Sequence, residues 1–256
     1  MKRIQTYILV GAILLLTPIA YGAYCYYAPP QLITPYQIGK VNDTLRIAYI
    51  GDSWAFMHKN HKCKIPKRLE SKLHCPIRVH SYGLCGQTSK EIYESIFDND
   101  DMKRFLQRRG YQFCFVSAGI NDTYKKMSTS YYKKSMNGII QFLLDNHIHP
   151  IILEIPDYDI KKTFDRQTTS KKLLRKLSMF INNTPLDCKQ KFRDALDELI
   201  REKEYQNKVS IIRYKSWNND YHQDLNLIYL EDGLHLNEHG YAKLDSIIAK
   251  EIVSPI

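Results

Sequence analysis

The stretch Leu-Arg-Ile-Ala-Tyr-Ile-Gly-Asp-Ser-Trp, residues 45–54, decides the fold of this chain. Its first six residues are a short, mainly apolar run, which is typical of a buried strand in a parallel sheet. Gly51, Asp52 and Ser53 interrupt the run, and apolar residues with helical spacing follow as far as Leu73. The stretch therefore predicts a strand, a tight turn and a helix, which together open an α/β fold.

Four more apolar runs follow along the chain, at residues 77–82, 111–117, 149–155 and 209–214. The segments between them carry apolar residues at helical spacing, i, i+3, i+4, i+7 and i+8. Two such groups are Met136, Ile139, Ile140, Leu143 and Leu144, and Phe192, Ala195, Leu196, Leu199 and Ile200; a third apolar helix face is made by Leu173, Leu174, Leu177, Phe180 and Ile181. Alternation of strands and helices predicts a three-layer α/β/α sandwich with a five-stranded parallel sheet, flavodoxin-like in type.

The composition is that of a globular protein. The chain has 256 residues, of which 44% are hydrophobic and 25% charged, and its formal net charge is +10. These values exclude a disordered, collagen-like or disulfide-scaffold protein.

The N-terminal segment differs in kind from the rest. Lys2 and Arg3 precede residues 7–28, which contain no charged side chain. As a helix, this run is long enough for a ~30 Å hydrocarbon core, and the leading cations predict a cytoplasmic N-terminus with the remainder exported. A cleaved signal peptide is the alternative, because Ala20 and Gly22 place small residues at suitable offsets.

We therefore expect a signal-anchor or signal peptide at residues 1–28, a proline-containing linker at 29–44 and one folded domain at 45–256. The domain is predicted to be periplasmic or extracellular, held to the membrane by the N-terminal helix, or secreted if that helix is cleaved. An exported domain also disfavours nucleic acid as a partner.

Cysteine usage permits disulfides without requiring them. Cys25 lies in the N-terminal segment, which leaves five cysteines that form at most two bridges within the chain. Cys63 and Cys75 are the pair to test, whereas Cys114 lies in an apolar run typical of a core.

The connection between the fourth and fifth predicted strands, residues 157–208, is unusually long and is expected to hold two helices. Such an excursion can form one wall of a substrate cleft. Its first part is basic and is opposed only by Asp165: Lys161, Lys162, Arg166, Lys171, Lys172, Arg175 and Lys176. A solvated helix face and a surface for anionic glycans or lipid headgroups both fit this pattern.

Two segments carry candidate chemistry for nucleophilic catalysis. Ser53 follows the first strand and opens a helix, a position where parallel sheets bind ligands and where free N–H groups stabilise anions. Asp232 and His235 lie three residues apart before the last helix; an imidazole can take the serine proton while a carboxylate fixes its tautomer. Helix capping by Asp52 and Ser53, and a loop histidine without a role, are the plain alternatives.

Two further loops follow the second and third strands. Gly86 lies where a glycine-rich turn can present a backbone N–H, and Asn121 can direct its side-chain amide toward the same crevice. An ordinary turn and an ordinary loop residue are equally compatible with these two segments.

Together and in this order, the four segments resemble the conserved blocks of the SGNH, or GDSL, hydrolase family, over residues 45–253. The resemblance implies that Ser53 is the nucleophile, His235 the general base and Asp232 its partner. It further implies an oxyanion hole made of the Ser53 and Gly86 backbone N–H groups and the Asn121 side chain. Trp54 and Gln87 depart from the usual pattern and are expected to lie near the acyl pocket.

The function expected from this resemblance is that of a serine esterase acting on acyl esters, acetyl above all, carried by a carbohydrate or a small molecule. An O-acyltransferase, a lysophospholipase or a thioesterase using the same triad remains open, as does a non-catalytic glycan-binding protein. Neither a cofactor nor a metal is expected, because His58, His61 and Cys63 do not form a zinc-like spacing.

Overall fold

The structure is a computed structural model that describes residues 10–11, 13–14, 16–20, 44–98, 100–107, 110–218 and 220–253. Most of the expected N-terminal helix and nearly all of the expected linker lie outside the described residues. Among those residues, no helix is both long and apolar enough to cross a bilayer. The anchor, its cleavage and the location of the domain therefore stay predictions.

Five strands form one parallel sheet in the order β2-β1-β3-β4-β5. They are β1 (Leu45–Gly51), β2 (Ile77–Gly83), β3 (Phe113–Ser117), β4 (His149–Leu153) and β5 (Ser210–Ile212). The predicted five-stranded parallel α/β sheet is thus confirmed. The fifth strand is shorter than expected because the chain enters a 3₁₀ turn at Tyr214–Ser216.

Eleven helices are described around the sheet. They are α1 (Ser53–His58), α2 (Ile65–Leu73), α3 (Ser89–Asp98), α4 (Asp100–Gln107), α5 (Ile120–Lys125), α6 (Thr129–Asp145), α7 (Ile160–Asp165), α8 (Thr169–Ile181), α9 (Lys189–Glu202), α10 (Tyr221–Ile228) and α11 (Glu238–Val253).

The helices fall into two layers. Right-handed crossovers require that the β1–β2 connection and the β2–β3 connection lie on opposite faces, because the chain reverses direction across the sheet between them. The contacts between helices agree with this arrangement, because α6 packs against α3 and α9, whereas α11 packs against α2. The sheet is thus covered on both faces, and its central strands are almost fully buried.

Two helix predictions need correction. The connection between β4 and β5 holds three helices rather than two, because the Asp159 carboxylate accepts a 2.8 Å hydrogen bond from the Lys162 N–H and caps the short helix α7. The helical stretch after Ser53 is divided into α1 and α2. Pro66 lies in the first turn of α2, where the missing N–H of proline is tolerated.

The cysteines of the described residues are all free thiols, so Cys63 and Cys75 are not joined. Cys114 is fully buried, as its apolar neighbours predict.

Candidate active site

The turn between β1 and α1 places Ser53 at the carboxyl end of β1, an internal strand of the sheet. The Asp52 carboxylate caps α1 by accepting a 3.0 Å hydrogen bond from the Trp54 N–H. The Asp52 N–H in turn donates to the Ser117 carbonyl at the end of β3, at 3.2 Å. The turn is therefore fixed both to its own helix and to the neighbouring strand.

Close backbone contact requires glycine at two positions beside this turn. A Cβ at Gly51 would lie 2.2 Å from the Ser117 carbonyl oxygen, and one at Gly83 would lie 1.9 Å from the Phe56 nitrogen. Helix α1 consequently packs directly against the backbone at the end of β2, which fixes the height of Ser53 above the sheet.

Ser53, His235 and Asp232 form one hydrogen-bonded chain. The Nε2 atom of His235 lies 2.9 Å from the Oγ atom of Ser53. Its Nδ1 atom lies 2.5 Å from the Oδ2 atom of Asp232. The His235 side chain is 24% exposed, so the imidazole is shielded yet open to a ligand on one side. The structure thus brings Ser53 to a histidine and an aspartate that lie some 180 positions further along the chain.

The loop at residues 232–235 is preorganised by its own backbone. The Oδ1 atom of Asp232 accepts 2.9 Å hydrogen bonds from the N–H groups of Leu234 and His235. Partial burial acts to raise the pKa of Asp232, but hydrogen bonds from the His235 side chain and from these two N–H groups outweigh it and lower the pKa. The carboxyl therefore stays ionised and can orient the imidazole and stabilise its protonated form.

Two further loops are tied to the serine turn. The Leu84 N–H donates to the Gly51 carbonyl at 2.9 Å, which fixes the loop that carries Gly86. The Asn121 side-chain amide donates to the Gln87 carbonyl at 2.9 Å and joins the start of α5, which follows β3, to the loop after β2. The Ser53 and Gly86 N–H groups make no hydrogen bond with another described residue, so both can serve a ligand.

Three supporting residues escaped the sequence analysis. The buried Asp122 carboxylate caps α3 by accepting from the Ser89 N–H at 2.7 Å and from the Ser89 hydroxyl at 2.6 Å. Ser117 donates to the Oδ1 atom of Asp52 at 3.4 Å. A polar residue that ends a buried strand, as Ser117 does, was the signal available in the sequence.

Asp52 is a buried carboxyl in the immediate setting of the serine. Burial raises its pKa to about 7, against the lowering effect of the Trp54 N–H. Its Oδ2 atom makes no hydrogen bond with a described residue. The protonation of Asp52 therefore changes in the neutral pH range rather than near pH 4.

The side chain of Trp54, which follows Ser53 directly, lies in the core. It is fully buried and meets the Trp217 ring edge-on at a centroid distance of 5.6 Å, so it belongs to the core rather than to an acyl pocket. Gln87 directs its side-chain oxygen toward the Ser95 hydroxyl of α3, at 3.4 Å.

A second serine, histidine and aspartate lie together beneath α1. The His58 ring lies 2.8 Å from the Ser81 hydroxyl through Nδ1 and 2.8 Å from the Asp245 carboxylate through Nε2. Among the described residues, His58, Cys63 and Asp245 form the one group whose donor atoms could share a metal ion, all within 4.8 Å of one another. Asp245 also accepts from the Lys64 N–H at 2.6 Å, so these hydrogen bonds join α1 to α11.

Solved structures with the same fold include several esterases. The GDSL-like lipase of Bacteroides thetaiotaomicron is 15% identical, with a TM-score of 0.51 over 81% of this chain and 87% of the other. The lipase/acylhydrolase of Enterococcus faecalis is 16% identical, with a TM-score of 0.53 over 81% and 95%. A variant of a Geobacillus acetyl-xylooligosaccharide esterase is 13% identical, with a TM-score of 0.55 over 82% and 95%. At these identities the likeness establishes the fold.

The family of the protein is established by a match to its sequence. The comparison with curated proteins found no match. The profile of the GDSL-like lipase/acylhydrolase family, in contrast, matches residues 49–243, from β1 into α11. Since this match covers most of the chain, the protein belongs to the GDSL-like lipase/acylhydrolase family, a family of hydrolases that act on ester bonds.

Proposed function

We propose that the protein is a serine esterase that removes short acyl groups, acetyl above all, from a carbohydrate. Ser53 is the nucleophile, His235 the general base and Asp232 the residue that orients it. The observation that carries this proposal is the continuous chain from the Ser53 hydroxyl through both His235 nitrogens to Asp232, with contacts of 2.9 and 2.5 Å.

Acylation follows from these contacts. As the Ser53 oxygen attacks the ester carbonyl, its proton passes to Nε2 of His235, and the ionised Asp232 stabilises the imidazolium. The negative charge that develops on the carbonyl oxygen is stabilised by hydrogen bonds that the Ser53 and Gly86 N–H groups and the Asn121 amide donate to it. Collapse of the tetrahedral intermediate breaks the ester bond, and His235 returns the proton to the departing sugar hydroxyl.

Deacylation repeats these steps with water. His235 takes a proton from water, the resulting oxygen nucleophile attacks the acyl-Ser53 ester, and the proton returns to the serine as the acid leaves. A sugar hydroxyl in place of water would make the same site an acyltransferase.

The second serine, Ser81, does not have the surroundings of a nucleophile. It lies within β2, opposite Tyr49 in the register of the sheet, so its backbone is engaged in strand pairing. Its partner His58 is 2% exposed and is covered by α11 through Asp245. Ser53, at a helix start beyond the end of a strand, has the free backbone N–H that Ser81, paired within β2, lacks.

A cavity of about 700 Å³ beside the catalytic loop supports a carbohydrate as the alcohol part of the ester. Its wall includes Tyr221, whose hydroxyl donates to the Gly233 carbonyl at 2.7 Å, between Asp232 and His235. Asp157 and Asp159 also line it, and carboxylate oxygens accept hydrogen bonds from sugar hydroxyls. The deacetylation of xylooligosaccharides by a protein of this fold is compatible with the assignment.

The test is ester hydrolysis and serine labelling by the full chain. We expect hydrolysis of p-nitrophenyl acetate in preference to the octanoate, release of acetate from acetylated xylooligosaccharides, and labelling by a fluorophosphonate. Ser53→Ala and His235→Ala should abolish hydrolysis, and Ser53→Ala should abolish labelling. Ser81→Ala, the matched control, should keep both.

Labelling that persists in folded Ser53→Ala would refute the nucleophile. Cleavage of the octanoate alone would refute the acetyl assignment and favour a lysophospholipase. Acetyl transfer to a glycan in preference to water would show a transferase.

A further inference from the structure

Helix α8 (Thr169–Ile181) is amphipathic, but its apolar face points away from the protein. None of its residues is buried. The large apolar side chains, spaced i, i+1, i+4, i+7 and i+8 along one face, are all highly exposed: Leu173 69%, Leu174 63%, Leu177 52%, Phe180 85% and Ile181 61%. A helix of a globular domain normally turns such a face toward the core.

The polar side of the helix is the side that contacts the domain. The Arg175 guanidinium stacks on the Tyr124 ring at 3.2 Å from its centroid. Directly after the helix, the Asn182 side chain donates to the Lys126 carbonyl at 2.8 Å. These contacts fix the helix with its apolar face outward, so the orientation is a property of the fold.

Cations border the apolar face on both edges. Lys176 is one turn from Leu173 and Phe180 on one edge, and Lys171 is one turn from Leu174 on the other. Both lysines are exposed, and the helix contains no acidic residue. Lysines beside an apolar face suit a helix that lies flat in a bilayer interface, with its apolar side chains in the acyl boundary and its ammonium groups at anionic headgroups.

The helix is attached to the catalytic edge of the sheet. Tyr124 lies in α5 and Lys126 directly follows it, and α5 also carries Asn121, the expected oxyanion-hole residue. A surface that binds α8 would therefore lie near the edge at which Ser53 is presented.

We propose that α8 docks the domain onto the surface of an anionic lipid bilayer. A second copy of the chain fits the face less well. Pairing of two α8 helices would bring Lys171 and Lys176 of each copy together with no acidic side chain on either helix to neutralise them. A bilayer complements both features, because its acyl chains receive the apolar face and its anionic headgroups neutralise the lysines. The proposal is independent of the esterase assignment.

The experiment uses the full chain with Phe180→Trp in vesicles whose acyl chains are brominated, because bromine quenches tryptophan only within the bilayer. Trp54 and Trp217 are buried, which leaves residue 180 as the exposed reporter. We expect strong quenching in phosphatidylcholine vesicles that contain phosphatidylglycerol and weak quenching in phosphatidylcholine alone. Leu73→Trp, a reporter on α2 at the opposite end of the sheet, should not be quenched.

A second test reverses the charge of the two lysines that border the apolar face. Lys171→Glu with Lys176→Glu, combined with the reporter, should lower the ratio of docked to undocked domain roughly 30-fold or more. The control variant carries Lys67→Glu and Lys72→Glu on α2. It has the same net charge as the first variant and its substitutions are also at exposed positions, so it should leave docking unchanged.

Absence of quenching at residue 180 in anionic vesicles would overturn the proposal. A blue shift of the residue-180 tryptophan emission without vesicles, together with dimers in sedimentation, would also overturn it. A second copy of the chain would then cover α8. Ester hydrolysis measured on the same preparations separates the two proposals: quenching without hydrolysis leaves docking intact and removes the esterase assignment.

Discussion

The side-chain amide of Asn121 donates a 2.9 Å hydrogen bond to the backbone carbonyl of Gln87. An amide nitrogen carries two hydrogens, so this bond uses one and leaves the other for a ligand. The bond also joins the loop that follows β3 to the loop that presents Gly86. Asn121 therefore has two roles in the proposed mechanism, as an oxyanion donor and as a link between two parts of the oxyanion hole.

Loss of the Asn121 amide should slow the chemical step. We expect Asn121→Ala to lower kcat by about 10²- to 10³-fold with a smaller effect on KM, because the donor stabilises charge that develops in the transition state. Steady-state kinetics with p-nitrophenyl acetate measure both constants. Ser95→Ala is the control and should behave like the wild type, because the Ser95 hydroxyl donates only to the Gln87 side chain and to the Glu91 carbonyl within its own helix. A folded Asn121→Ala enzyme with normal kcat would exclude the residue from the oxyanion hole.

Asp52 should make the stability of the domain depend on pH. Burial raises its pKa from 3.8 to about 7, so between these values the folded protein holds a proton that the unfolded chain has released. The contribution of this group to stability is therefore greatest below about pH 4 and declines as the pH rises to about 7.

Asp52→Asn removes this dependence. We expect the unfolding temperature of the variant, relative to the wild type, to rise by roughly 10 °C between pH 4 and pH 8. Asp122, the other described carboxyl whose pKa is raised by burial, is present in both proteins and cancels in the comparison. Scanning calorimetry at the two pH values measures the difference, and a constant difference would show that Asp52 titrates normally.

A single methyl group at Gly83 should displace the nucleophile. The Cβ of Gly83→Ala would lie 1.9 Å from the Phe56 nitrogen, and backbone cannot move aside as a side chain can. We expect a markedly destabilised protein with little esterase activity, measured by urea unfolding and ester hydrolysis. Gly138→Ala is a useful comparison, because its added Cβ would meet the Tyr93 ring rather than backbone. Wild-type activity in Gly83→Ala would mean that α1 is not held as described.

The buried pair of His58 and Asp245 should stabilise the domain rather than take part in catalysis. Asp245→Ala would leave the His58 Nε2 atom and the Lys64 N–H without their carboxylate, at a cost of about 3 kcal/mol in the free energy of unfolding. Asp245→Asn should recover part of the loss. Asp165→Ala, which breaks the exposed pair with Lys161, should change little. Urea unfolding of the three variants decides this, and equal stability of Asp245→Ala and wild type would contradict the role.

The sheet and the positions of the site loops follow from local sequence. Short apolar runs that alternate with helical spacing specify parallel strands and covering helices, and the order of the runs along the chain gives the confirmed five-stranded sheet. Gly86 and Asp232 lie in loops, Ser53 and Asn121 lie at the starts of helices, and parallel strands bring such connections to one edge of the sheet. That Ser53 and His235 would meet was therefore predictable from the chain alone.

The tertiary structure decided what depends on contacts between distant segments. The cap that Asp122 provides to Ser89 and the hydrogen bonds between His58 and Asp245 join residues with no local pattern in common. Trp54 belongs to the core because Trp217, far along the chain, packs against it. The outward apolar face of α8 is the plainest case. The spacing of the apolar residues predicts that the helix has an apolar face. The direction in which this face points is fixed by the stacking of the Arg175 guanidinium on the Tyr124 ring, a contact that no local sequence rule contains.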